Sequence, residues 1–236
     1  MSEYSRYAIY YTPPEGAFAR FGAEWLGWDI AAGREVAQPF HPEIDLAAVT
    51  ATPRKYGFHA TLKAPFRLAD GVTQQDLRET AAATAVNLQP VMLESLRLTR
   101  IGSFLALTPE RNNVPLHDLA FSLVEKLDHL RAPMTQAERA RRRPEGLSKL
   151  QTDYLDRWGY PYVGDEFRFH MTLTGALTDE ELERVEAVLR PLLGVIPVPF
   201  PIQSICIVGE RRDGRFQKLA RFQLGEPEGI WRAQSR

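Results

Sequence analysis

Cysteine is nearly absent from this chain of 236 residues, which holds a single one, Cys206. No internal disulfide can form, and a Cys-rich zinc site is excluded. Within SICIVG the thiol reads as a small buried hydrophobe, not as a reactive group. Long apolar runs are missing too: the greasiest tract, LLGVIPVPFPI, is broken by three prolines and is too short to span a bilayer. The opening MSEYSRYAIYYTPPEG lacks the basic start and apolar stretch of a signal peptide. A cytoplasmic soluble protein with no membrane partner is therefore expected. Nor is there an excess of one charge. The 29 Lys and Arg against 30 Asp and Glu leave a net charge of −1, so no basic field points to long nucleic acid as a partner. What remains is ordinary globular composition, 44% hydrophobic and 25% charged, in a length that suits one large domain or two small lobes.

Strands and helices alternate along the chain. RYAIYY (6–11) is short, apolar and aromatic, as a strand is. In 15–32 the residues Phe18, Phe21, Trp25 and Trp28 fall at helical spacing, and the Pro-rich 33–54 reads as a long loop. GFHATLKAPF follows as a strand. Thr73 with Asp76 marks a capped helix start, and Thr178 with Glu181 marks another. VMLESLRLTRI and SFLALTP read as strands around a Gly102-Ser103 turn, FRFHMTLTG as a strand, and FPIQSICIVGE and GRFQKLARFQL as strands around the turn RRDG. The helical pattern of 114–130 opens a second half that repeats the order of the first.

The expected fold is α+β, with two pseudo-symmetric lobes flanking a central cleft. Each lobe would be a mixed or antiparallel sheet with helices on one face. The chain would form a single bilobal domain, lobe one about 1–102 and lobe two about 103–236. The segment 131–165 has no counterpart in the first copy and reads as an insertion or lid.

One signal stands apart. KYGFHATLKAPF and RFHMTLTGAL both contain Phe-His-x-Thr-Leu, in a chain with only five histidines. On a strand, residues i and i+2 share a face. His59 therefore projects with Thr61, and His170 with Thr172. Two histidines across a cleft suit a reaction that removes a proton on one side and donates one on the other, because imidazole titrates near neutrality. Phosphodiester hydrolysis is such a reaction, and threonine hydroxyls can donate hydrogen bonds to the charged phosphoryl oxygens.

The paired His-x-Thr-Leu motifs resemble the two-histidine (2H) phosphoesterase superfamily, which includes cyclic phosphodiesterases and 2′–5′ RNA ligase-like proteins. RYAIYYTPP, KYGFHATLKAPF and WGYPYVGDEFRFHMTLTG are similar to a branch found in bacterial phosphonate-utilisation operons. The resemblance implies His59 and His170 as the catalytic pair, Thr61 and Thr172 as phosphate ligands, no metal and no cofactor. It leaves the substrate open.

Around that core, Lys63 and Arg168 have the parity of the motif residues and either face a phosphate or turn to solvent. Tyr10 and Tyr11 alternate faces, and we assign Tyr11 to the cleft and its neighbour to the core. Tyr154, Trp158, Tyr160 and Tyr162 either stack on a base or sugar or pack the lid, and Tyr160 is placed in the pocket. The basic run RARRRP (139–144) reads as a solvated helix end, or else as an electrostatic gate for an anionic substrate. His41, His117 and His129 lack the motif context.

The leading function is a metal-independent phosphoesterase acting on a small anionic cyclic phosphodiester of a ribose or nucleotide. The runner-up is an RNA-end ligase or oligonucleotide phosphodiesterase, opposed by the neutral charge. A non-catalytic binder of phosphate ligands is a third reading. A metal hydrolase is a fourth, with two imidazoles but no carboxylate pattern to complete a ligand set.

Overall fold

The computed structural model describes residues 3–225. Its elements are, in order, β1 (Tyr7–Tyr11), α1 (Ala17–Leu26), β2 (Trp28–Asp29), β3 (Arg34–Glu35), α2 (Leu46–Val49), α3 (Ala51–Arg54), β4 (Ala60–Phe66), α4 (Gln74–Val86), β5 (Val91–Leu93), β6 (Leu96–Ile101) and β7 (Phe104–Pro109). Then come α5 (Val114–Lys126), α6 (Gln136–Arg141), α7 (Lys149–Trp158), β8 (Met171–Thr172), α8 (Asp179–Leu189), β9 (Phe200–Ile202), β10 (Ser204–Glu210) and β11 (Phe216–Gln223). The class is α+β, as the alternating pattern predicts. Both expected capping boxes form, Thr73 with Asp76 on α4 and Thr178 with Glu181 on α8. The Pro-rich 33–54 is less bare than expected, since it carries β3, α2 and α3.

The arrangement in space corrects the picture of two successive lobes. Seven strands form one sheet in the order β11-β10-β1-β4-β8-β7-β6, with every neighbouring pair antiparallel. The hairpins are exchanged between the halves. β6–β7, which follows the first motif in the chain, pairs with β8, whereas β10–β11, which follows the second, pairs with β1. A boundary near residue 102 therefore divides the chain but not the sheet. Sequence order does not specify which strand pairs with which, and here each half is completed by the other's hairpin. The halves meet at β4 and β8, where one residue pair, Ala60 with Met171, sets the register.

One face of the sheet carries the main core. Phe18, Trp25 and Leu26 of α1, Leu77 and Ala81 of α4, Leu119 and Leu123 of α5, and Val185 and Leu189 of α8 bury against Ile9, Tyr11, Leu62, Leu105, Leu107, Met171 and Ile207. The other face carries a smaller cluster of Ala8, Tyr10, Trp28, Ile30, Cys206, Val208 and Phe216. Cys206 is fully buried there, as its sequence context suggests. Alternation along β1 and β10 thus sends consecutive residues to different cores.

Candidate active site

Backbone constraints place His59. Gly57 has φ +70°, a left-handed conformation that costs glycine little. Its carbonyl turns back to His59. On the next residue, the Phe58 ring lies where a Cβ on Gly22 of α1 would stand, 1.8 Å from the nearest ring atom. Only glycine lets Phe58 seat on that helix, and the seat fixes the chain one residue before the histidine. The second motif is held from the same helix. The Trp25 indole N–H donates to the Leu173 carbonyl at 2.9 Å, and the Thr174 hydroxyl accepts from the Leu105 N–H at 3.0 Å.

The Ala60–Met171 pair decides what faces what. Extending that register by one residue on either side sets His59 opposite Thr172 and Thr61 opposite His170. All four side chains then share the face that Ala60 and Met171 leave. The histidines lie on one diagonal of the quartet and the threonines on the other. Diagonal neighbours in antiparallel pairs stand about 7–8 Å apart at the backbone, leaving space for one phosphate between two rings. The charge of His170 is felt at His59.

The two imidazoles are held alike. Nδ1 of His59 donates to the Gly57 carbonyl at 2.9 Å, and Nδ1 of His170 donates to the Arg168 carbonyl at 2.7 Å. A carbonyl only accepts, so each Nδ1 keeps its hydrogen. Each neutral ring therefore presents the lone pair of Nε2. At His59 that nitrogen accepts from the Thr61 hydroxyl at 3.1 Å. Burial pushes the His59 pKa down to about 4, the Gly57 hydrogen bond opposing and the His170 charge adding to the shift, although the residue keeps some contact with solvent. His59 is thus neutral over the physiological range.

Beside the quartet is a cavity of about 490 Å³. Thr61, His170, Arg168 and Phe104 line it, and the 131–165 segment supplies one wall through Gln151, Tyr160 and Tyr162. Gln151 donates to Glu166 at 2.8 Å across that wall. Next to it, a hollow of about 300 Å³ is lined by Arg6, Arg67, Arg131, Arg141 and Arg142. Arg142 of the hollow holds its guanidinium 5.0 Å from the ring centre of Tyr160, which lines the cavity. The RARRRP run is therefore divided. Arg139 pairs with Asp156 in solvent, while Arg141 and Arg142 face the hollow.

Two sequence expectations need correction. Lys63 reaches neither phosphate nor solvent. It is buried, donating to the Val124 carbonyl of α5 at 3.1 Å and pairing with Asp128 at 3.4 Å. Burial pulls its pKa down to about 8. Tyr11 does not line the cavity either. It is buried on the helical face against Phe169 and Phe200. An irregularity explains the first: the β1–β4 register runs Ile9 with Lys63 and then Tyr10 with Thr61, a slip of one residue that puts Lys63 with the core. Tyr11 follows plain alternation along β1, which sends it with Tyr7 and Ile9 to the helical face and leaves Tyr10 opposite Thr61. The residue that sequence reasoning passed over is Tyr10, whose ring stacks on His59 at 3.8 Å and 21°. Only the adjacency of two tyrosines hinted at it. Arg168 and Tyr160 line the cavity.

The family model described as "Protein of unknown function (DUF1045)" matches residues 61–217. The chain belongs to that family. The match covers Thr61, His170 and Thr172 and begins two residues after His59. Among curated relatives, a protein named ribose 1,5-bisphosphate phosphokinase PhnN from Janthinobacterium sp. (strain Marseille) is 39% identical over 222 residues, 89% of this chain and 48% of that one. One of the same name from Laribacter hongkongensis (strain HLHK9) is 34% identical over 178 residues, 75% of this chain and 42% of that one. The chain thus spans about half the length of the curated relatives it matches or less. Of solved structures, a crystal structure described as a phosphoesterase has a TM-score of 0.44 at 17% identity, and E. coli LigT complexed with NADP+ has 0.45 at 17%; each covers 95% of this chain and 100% of the other. Likeness this distant says nothing of chemistry. Among the described residues, no helix is long and apolar enough to cross a membrane.

Proposed function

We propose that this DUF1045 protein is a two-histidine phosphoesterase that opens a small cyclic phosphodiester of a ribose or nucleotide without a metal. The observation that carries the reading is the Ala60–Met171 junction that brings the two motifs together, with both Nδ1 atoms tied back to carbonyls and Nε2 of His59 on the Thr61 hydroxyl. His59, kept neutral by burial, is the base. Substrate phosphate draws the Thr61 hydroxyl away from Nε2 toward a non-bridging oxygen. The freed Nε2 takes a proton from water, the hydroxide adds to phosphorus, and one ring P–O bond breaks. His170, entering as imidazolium, gives its Nε2 proton to the leaving oxygen. Thr172 completes the pair of hydroxyl donors to the developing negative charge. Acid, base and donors are all side chains, and among the described residues no group of three or more His, Cys, Asp or Glu gathers to hold a metal.

A cavity of about 490 Å³ suits a substrate of nucleotide size or smaller, and Arg168 in its lining favours an anion. The kinase in the relatives' name belongs, on this reading, to the part of those proteins that this chain does not match. The chain contains no G-x-x-x-x-G-K phosphate loop. The placement in phosphonate metabolism rests on sequence resemblance.

The test is phosphorus NMR of 2′,3′-cyclic nucleotides, ribose cyclic phosphates and short RNAs incubated with the protein in EDTA. Conversion of a cyclic diester to a monoester is expected, reduced about 10²–10⁴-fold in His59→Ala and in His170→Ala. Turnover that needs zinc or manganese, or that survives in either variant, overturns the mechanism.

A further inference from the structure

We propose that Tyr10 is a positioning residue for His59, fixing the plane of the imidazole and lending its ring face to the imidazolium formed when the base takes up a proton. The inference rests on the two-histidine reading above.

The contact is direct. The rings lie 3.8 Å apart between centroids and 21° from parallel, closer and flatter than the ring pairs around them. Nδ1 is already tied to the Gly57 carbonyl, so the hydrogen bond sets where one edge points. The hydrogen bonds at Nδ1 and, from Thr61, at Nε2 leave the ring free to tilt about the line between them, and the stack removes this freedom. Tyr10 cannot move aside. It is 1% exposed and packs on Phe216 at 5.9 Å, with Tyr56 against both Phe216, at 5.4 Å, and His59, at 6.1 Å. Tyr10 also pairs with Thr61 across the β1–β4 ladder. The same strand position thus supports the base and neighbours the hydroxyl that caps it. Alternation along β1 gives Tyr10 this face, opposite to that of Ile9 and Tyr11.

The chemistry follows from the ring. A flat aromatic face shields one side of His59 from water and so favours the neutral base. Once a proton arrives, the negative face of the phenol ring attracts the imidazolium. The groups that charge or hydrogen-bond this environment are His170 across the junction, the Gly57 carbonyl, Thr61 and Tyr56 around His59. Tyr56, Tyr160, Arg6 and Glu210 act electrostatically on the Tyr10 hydroxyl. Burial raises the Tyr10 pKa well above its ordinary value, so the hydroxyl stays protonated and the ring neutral.

The experiment compares Tyr10→Phe and Tyr10→Leu with the wild type by histidine-ring NMR titration and by steady-state kinetics. Tyr10→Phe, which keeps the face, is expected to match the wild type in the His59 titration and in kcat. Tyr10→Leu is expected to lower kcat at least tenfold with KM within about twofold, and to raise the His59 midpoint by a unit or more, because burial is the largest cause of the lowered pKa and its loss outweighs the lost attraction of the phenol face. An unmoved midpoint with wild-type kcat overturns the proposal, as does a loss confined to KM. If Tyr10→Leu does not fold, the wild type alone decides. The ring protons of His59 must show the upfield shift of a stacked aromatic neighbour, and random-coil shifts overturn the stack. The titration needs no substrate. An inactive wild type therefore refutes the phosphoesterase reading while the Tyr10 result still stands or falls separately.

Discussion

His59 should make this protein measurably less stable in mild acid. Its folded-state pKa is about 4, set chiefly by burial, against an ordinary imidazole near 6.5. Between those values the unfolded chain carries a proton on His59 that the folded protein refuses. Lowering the pH therefore pulls the equilibrium toward unfolding, and the loss levels off once the pH passes below the folded value. The full difference is worth about 3 kcal/mol, at 1.36 kcal/mol per pKa unit. At pH 5, one unit above the folded pKa, about 2 kcal/mol of that has been lost relative to pH 7.5. Carboxylates and the other histidines also titrate in this window, so the measurement must be a difference. His59→Asn retains an N–H donor for the Gly57 carbonyl and removes the titration. Urea unfolding of both proteins at pH 7.5 and pH 5 should show the wild type losing about 2 kcal/mol more than the variant. Equal losses, within about 0.5 kcal/mol, would mean that the imidazole is not desolvated as the structure has it. A larger loss in the variant would reverse the sign and refute the reasoning outright. The same pKa sets the acid limb of kcat/KM for the free enzyme near pH 4, well below that of an exposed histidine.

Thr61→Val and Thr172→Val keep shape and strand preference but remove a hydroxyl, and each should cost about 2–4 kcal/mol of transition-state stabilisation, read from kcat/KM, with unfolding nearly unchanged. Full activity in the double variant would make both residues strand packing. Lys63→Met should leave kcat/KM within about twofold and stability within about 1 kcal/mol, because Asp128 keeps its pair with Arg131 at 2.8 Å. A large loss of turnover in a stable Lys63→Met protein would return Lys63 to the substrate.

The local features of this protein are written in its local sequence. Thr73 with Asp76 and Thr178 with Glu181 announce two helix starts, since a cap is a contact between residues three apart. His-x-Thr announces itself because two side chains on one strand face need only the alternation of the backbone. The exchange of hairpins between the half-sheets was not legible, because pairing β10 with β1 is a contact across nearly the whole chain. Nor was it legible that β8, read as a nine-residue strand FRFHMTLTG, would be paired only over Met171 and Thr172.

The most instructive failure is Lys63 and Tyr11. Tyr11 was chosen from two tyrosines known only to alternate, and the choice needed the β1–β4 pairing; Lys63 was placed by parity, and parity is sound only while the ladder is regular. The slip between Ile9 with Lys63 and Tyr10 with Thr61 reverses it for Lys63, and a second shift between Ile9 and Tyr7 returns Phe66 to the core. No glycine or proline at that point flags the slip: the residues involved are Thr61, Leu62 and Lys63 on one strand and Ile9 and Tyr10 on the other. What selects it is energetic and non-local. Leu62 lies in the helical core, and the long stem of Lys63 crosses that core to reach the Val124 carbonyl and Asp128 at the end of α5. A regular ladder would aim Lys63 at the face where His59 and Thr61 stand and would leave Asp128 without that partner. The slip keeps a cation away from the base, where it would oppose the imidazolium that forms when His59 takes up a proton, and leaves that place to the Tyr10 ring.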